Sequence, residues 1–198
     1  RQLLHSPTTI VTGVLMVIVA IATTINTTFW SVLVTEKLLI PPEYLSIFYV
    51  VRSVVMLLFY FTVMPRLRDV DAKRPMVFGF LGMIVSWTML ITMPPQNYFL
   101  LIVATIIEGC SVPAISTLLD KLVATSVDAK ERARIMGFLY LAVLAGSMPF
   151  GWIAGQASQI NRSLPFVINI VLVGAGAILA YVTSRGRAEA PIETPTDA

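Results

Sequence analysis

Six long apolar runs separated by short polar gaps organise this sequence: Ile10–Val34, Tyr44–Met64, Met76–Met93, Tyr98–Leu119, Ile135–Gly155 and Pro165–Ser184. Each is 18 to 25 residues long, enough for an α-helix to cross a hydrocarbon layer about 30 Å thick. None alternates apolar and polar positions, whereas a membrane β-barrel needs alternating strands of about 10 residues. The pattern predicts an all-α membrane protein with six transmembrane helices. Turn residues fill the connections: Pro41-Pro42 in the first gap, Pro94-Pro95-Gln96-Asn97 in the third, and Pro165 opening the sixth helix, where a missing N–H costs nothing. Residues 1–184 read as one transmembrane domain. Residues 185–198 turn to Ala, Glu, Pro and Thr and read as a disordered tail.

The basic residues alternate with the gaps. Arg66, Arg68, Lys73 and Arg74 fill the second gap, and Lys121, Lys130, Arg132 and Arg134 fill or border the fourth. Arg1 precedes the first run; Arg185 and Arg187 follow the last. The odd gaps hold only Lys37 and Arg162, so 11 of the 14 basic residues lie on one side and Arg52 lies inside a run. Cytoplasmic loops of membrane proteins carry the excess of Lys and Arg, so both termini and the even gaps are expected in the cytoplasm. The expected location is the inner (plasma) membrane, crossed several times.

Composition agrees and removes competing classes. Hydrophobic residues make up 57% and charged residues 13%, against roughly 45–50% and 25% in soluble domains. The net charge of +3 therefore speaks of loops at lipid headgroups and not of nucleic acid. Cys110 is the one cysteine and lies inside the fourth run, so an intrachain disulfide or a thiolate metal cluster is excluded. His5 is the one histidine and precedes the first run. No zincin, serine-hydrolase or Walker motif is present, so neither an enzyme nor a metal or other cofactor is expected. The first run is too long for a signal peptide. A chain opening on Arg1 in place of Met is expected to be a piece of a longer one.

Candidate chemistry lies where polar groups interrupt the runs. In two groups of three, the leading helix of each is the most polar: Thr23-Thr24-Ile25-Asn26-Thr27-Thr28 in the first, Glu108-Gly109-Cys110-Ser111 with Pro113 in the fourth. Three-helix groups crossing in opposite senses are the building blocks of inverted-repeat transporters, with binding sites on corresponding polar helices. At about 1.5 Å per residue, Arg52 and Asn26 lie about 12 Å and Glu108 about 15 Å from the odd-gap boundary. A lone charge at such depth costs several kcal/mol and calls for a partner or a watery cavity. Burial and a neighbouring Arg move a carboxyl's proton affinity in opposite directions. A Glu108–Arg52 pair could therefore exchange a proton as a cavity opens and closes. The alternative is a permanent ion pair holding two helices in register.

Helical spacing puts Thr105, Glu108 and Ser111 on one side of the fourth helix, and Thr23, Asn26, Thr27 and Trp30 on one side of the first. These eight positions, Arg52 included, form the candidate cavity lining. Pro113 and Gly109 loosen the turn around Glu108. Gly79, Gly82 and Ser86, and Gly151 with Gly155, are expected to allow close helix approach; Gly146 and Pro149 are expected to bend the fifth helix.

Two loop segments carry a resemblance. Leu118-Leu119-Asp120-Lys121-Leu122-Val123 followed by Glu131-Arg132-Ala133-Arg134-Ile135-Met136-Gly137 resembles the link between the tenth and eleventh helices of major facilitator superfamily transporters. Pro65 to Arg74 is similar to the degenerate second copy of that family's G-x-x-x-D-R-x-G-R-[RK] gating loop. Asp69 and Arg74 match it and Lys73 keeps a cation at the motif's penultimate place, while Pro65, Val70 and Ala72 replace Gly, Arg and Gly. The resemblance runs from Gln2 to Arg185 and implies the C-terminal six-helix half of a transporter, built of two inverted three-helix repeats. It further implies an N-terminal six-helix half as partner and rocking of the two halves around a central site. The first and fourth helices of each half would line the cavity, and the second and fifth would face the other half. The expected function is proton-coupled efflux of small organic or drug-like molecules across a lipid bilayer. An uptake permease for sugars or organic anions is one rival, and a six-span scaffold without transport is another.

Overall fold

In the computed structural model, residues 7–67, 73–126 and 132–188 are described, and among them there is no strand. The helices are α1 (Pro7–Val32), α2 (Leu45–Thr62), a single turn α3 (Met64–Leu67), α4 (Lys73–Thr92), α5 (Tyr98–Ser126), α6 (Arg132–Ile160) and α7 (Leu164–Ala188). Six of them, all but α3, contain windows long and apolar enough to cross a membrane. Several outrun the apolar runs that predict them. A π-helical turn, Leu33–Lys37, prolongs α1, and α5 continues past Leu119 to Ser126. The last helix is also longer than expected: α7 passes Ser184 and ends at Ala188, so the first residues assigned to the tail are helical.

Local chemistry sets the ends. The Ile40 N–H reaches back to the Val34 carbonyl, with Leu39 at φ 54° between them. The closure is one residue wider than the six-residue closure that commonly ends an α-helix through a left-handed residue, in keeping with the wider π turn it terminates. The Asn97 side chain accepts from the Leu100 N–H, capping α5. Near the C-terminus of α4, Pro95 stands four residues after Ile91 and has no N–H to offer its carbonyl. Lys37 supplies that missing donor from the π turn of α1.

The packing is symmetric. The most extensive helix contacts are α4 with α5, α1 with α7, α4 with α7, α1 with α6, α2 with α5, and α1 with α5. Exchanging the first three spans for the last three (α1 for α5, α2 for α6, α4 for α7) turns this set into itself. Because each group crosses three times, the second enters from the opposite side, so the repeats are inverted. The core lies between α1, α4, α5 and α7, around Leu15, Phe80, Met83, Trp87, Leu101, Ile115 and Phe166. By contrast α2 and α6 stand at the periphery, with Phe48 the buried apolar residue of α2 and Ala154 that of α6.

Glycines explain part of this closeness. A Cβ on Gly79 would lie 2.7 Å from Ile115 Cγ1, and one on Gly82 would lie 2.2 Å from Ser111 Oγ, so α4 and α5 meet through small residues as expected. A Cβ on Gly146 would touch Val17 at 3.0 Å, so this residue serves the α1–α6 contact. The second expected pair does not act this way: Gly151 faces open space, and Gly155 has Phe29 no nearer than 4.0 Å.

Candidate functional site

The polar residues of the first, second and fourth spans converge on one carboxylate oxygen. Arg52 Nη2 lies 2.9 Å from Glu108 Oε1, and Asn26 Nδ2 donates to the same oxygen at 2.6 Å. Three helices thus meet at positions that residue counting puts nearly level with one another. The glycine after Glu108 makes this possible. A Cβ on Gly109 would lie 3.1 Å from Val55 Cγ1 and 3.4 Å from the Arg52 carbonyl, so its bare backbone lets α2 lie close against α5 at the turn carrying Arg52. Pro113 adds a break in the α5 hydrogen-bond ladder opposite the Gly109 carbonyl.

The centre is asymmetric in exposure. The Glu108 side chain is 1% exposed and that of Arg52 is 16% exposed. Opposite charges at hydrogen-bond distance remove most of the penalty that either would carry alone. The ionisable groups on α2 are Arg52, Tyr49 and Tyr60, while residues 10–35 of α1 and its π turn and residues 75–92 of α4 carry none. Among the described residues, Arg52 is the charged group paired with Glu108. Asn26 leaves its own Oδ1 buried without a donor, so this amide is committed through its nitrogen.

The remaining expected lining divides. Trp30 is buried, with its ring 5.1 Å from Tyr49 and 6.3 Å from Phe48. It lies one turn beyond Asn26, as Tyr49 lies one turn before Arg52, so an aromatic layer covers the ion pair on the odd-gap side. Thr105 is buried and its hydroxyl bonds the Leu101 carbonyl of its own helix. Ser111 bonds the Ile107 carbonyl and packs on Gly82, which assigns it to the α4–α5 seam and not to a shared face with Glu108. Thr23 bonds the carbonyls of Val19 and Ala20. Thr27 is exposed and bonds the Thr24 carbonyl, so it departs from the buried face that holds Asn26 and Trp30. Of the gating-loop residues, Asp69 lies outside the described residues; Lys73 and Arg74 begin α4, and their side chains lie outside the description.

Two features escape the sequence reading. The first is Asn169, fully buried in α7, whose Nδ2 donates to the Ala22 carbonyl of α1 at 2.9 Å while its Oδ1 has no donor. A polar residue in the middle of an apolar run is the signal that could have found it. The second is a cluster at the odd-gap end. Lys37 Nζ bonds the Ile91 carbonyl and lies 2.7 Å from Ser163 Oγ. Beside it Arg162 pairs with Glu36 and bonds the Ser158 carbonyl at 2.9 Å. Both odd-gap cations are thus engaged with other helices. Among the described residues no three His, Cys, Asp or Glu side chains gather as a metal site would need.

Compared with known families, residues 12–197 match the Major Facilitator Superfamily. No curated protein matches the chain.

Proposed function

Because this chain belongs to the Major Facilitator Superfamily, a family of membrane transporters, we propose that it is the C-terminal half of a proton-coupled exporter of small organic or drug-like molecules. It works by alternating access against an N-terminal six-helix half, with both its termini on the cytoplasmic side of the inner (plasma) membrane. The observation that carries this reading is the Asn26–Arg52–Glu108 centre, a titratable carboxyl held in mid-bundle by a cation from a peripheral helix. In the proposed cycle α2 carries Arg52 away from Glu108 as the halves rock. The carboxylate then takes a proton from one side, and the return of Arg52 expels it on the other. The place of Arg52 on the peripheral helix α2, against a buried Glu108 on α5, supports a pair that can open and weighs against a sealed structural pair in a scaffold. Its engagement by Glu108 also favours neutral or cationic organic solutes over an organic-anion permease, because the charge an anion would seek is already compensated. Asp69, Lys73 and Arg74 are proposed to act in the gating loop of the second gap.

The test is ethidium efflux from vesicles containing the intact transporter under an imposed proton gradient. Glu108→Gln, which holds the site in a neutral form, is expected to reduce gradient-driven efflux at least tenfold. Efflux that keeps its rate and its dependence on the gradient removes Glu108 from coupling.

A further inference from the structure

Asn169 is remote from the candidate centre in sequence, yet it grips the turn of α1 that serves it. Its amide nitrogen holds the Ala22 carbonyl. That carbonyl is the one the α-helical ladder pairs with the N–H of Asn26, four residues on. Helical side chains lean toward the N-terminus, so the Asn26 amide lies over this same turn. A continuous set of contacts therefore runs from Asn169 in α7 to Ala22 and Asn26 in α1, to Glu108 in α5 and to Arg52 in α2. It links the two inverted repeats through the candidate site.

Magnitudes argue that Asn169 is more than glue. An interhelical polar contact in a membrane bundle contributes little by itself. A buried acceptor left without a donor costs more than such a contact returns, and Asn169 Oδ1 is such an acceptor. As a plain tie between α7 and α1 the residue does not repay its own burial. We infer that Asn169 is a positioning residue for the Glu108 carboxylate, acting through the Ala22–Asn26 turn of α1. The inference rests on the proposed role of Glu108 in coupling, but its test reads the carboxyl directly and does not depend on transport.

The experiment is a pH titration of the intact transporter in lipid by infrared difference spectroscopy, with the Glu108 carboxyl band identified as the one that Glu108→Gln removes. Asn26 donates to the charged form, so a misaimed Asn26 makes that form less favourable. Asn169→Leu is expected to move the band's titration midpoint upward by about one pH unit, a tenfold change in proton affinity. Asn169→Gln, which keeps an amide donor, is expected to return the midpoint most of the way. In an Asn26→Leu background, Asn169→Leu is expected to add nothing. A midpoint unmoved by Asn169→Leu while the melting temperature falls would overturn the inference and leave Asn169 as a helix tie. Independent, additive shifts from Asn26→Leu and Asn169→Leu would overturn it as well. Should Asn169→Leu not fold, Asn169→Ser is read by the same midpoint criterion. A normal titration of Glu108 alongside unchanged efflux in Glu108→Gln would instead sink the proposed function and leave the positioning result standing.

Discussion

The Asn26–Arg52–Glu108 centre and the Glu36–Lys37–Arg162 cluster each hold an Arg–Glu pair, at two levels of one bundle. At the odd-gap end, Arg162 and Glu36 are 39% and 51% exposed, and each group has water or headgroups available if its partner leaves. In mid-bundle, Glu108 is almost completely buried, and among the described residues its ion-pair partner is Arg52. The end cluster fastens helices: Lys37 takes a carbonyl that Pro95 cannot serve and reaches Ser163 at the start of α7. The centre holds a titratable group under tension between burial and a counter-charge. Depth, more than residue identity, separates a fastening from the proposed switch.

That contrast gives an ordered set of expectations. Removing one partner of a buried ion pair costs about 3–5 kcal/mol, so Glu108→Leu, which strands Arg52, should show the largest fall in detergent melting temperature. A change of less than about 1 kcal/mol would mean that Arg52 is hydrated, and the contrast of depth would break. Lys37→Met removes a charge-assisted donor near the C-terminus of α4 and should cost about 1–2 kcal/mol, read in the same melting assay, with gradient-driven efflux retained in the part that stays folded. Smallest is Arg162→Gln. An exposed pair is worth about 0–1 kcal/mol and is screened by salt, so its effect should be slight at low ionic strength and vanish at high.

Much of this was legible in the sequence, for physical reasons. Uninterrupted apolar runs leave few options but membrane-spanning helices, and a rise of 1.5 Å per residue is enough to put Asn26, Arg52 and Glu108 at similar depths. The faces were harder. Spacing puts Thr27 with Asn26, but the helix turns it outward; Ser111 shares a side with Glu108, yet the bare surface of Gly82 draws α4 against it. The end cluster was hidden because the π turn at Leu33–Lys37 re-aims Glu36 and Lys37, a change of helical period that apolar spacing does not register. Asn169 was visible as a polar residue in an apolar run, but its partner is a backbone carbonyl, and every residue has one.

The most direct test of the central claim neutralises both members of the buried pair at once. Melting temperature and proton-driven ethidium efflux would be compared for Glu108→Gln, Arg52→Gln and the double variant. If the pair couples transport, the double variant recovers most of the stability lost in either single variant, because no uncompensated charge remains, while gradient-driven efflux stays lost. Recovery of both stability and gradient-driven efflux in the double variant would contradict the account and reduce Glu108 and Arg52 to a structural pair.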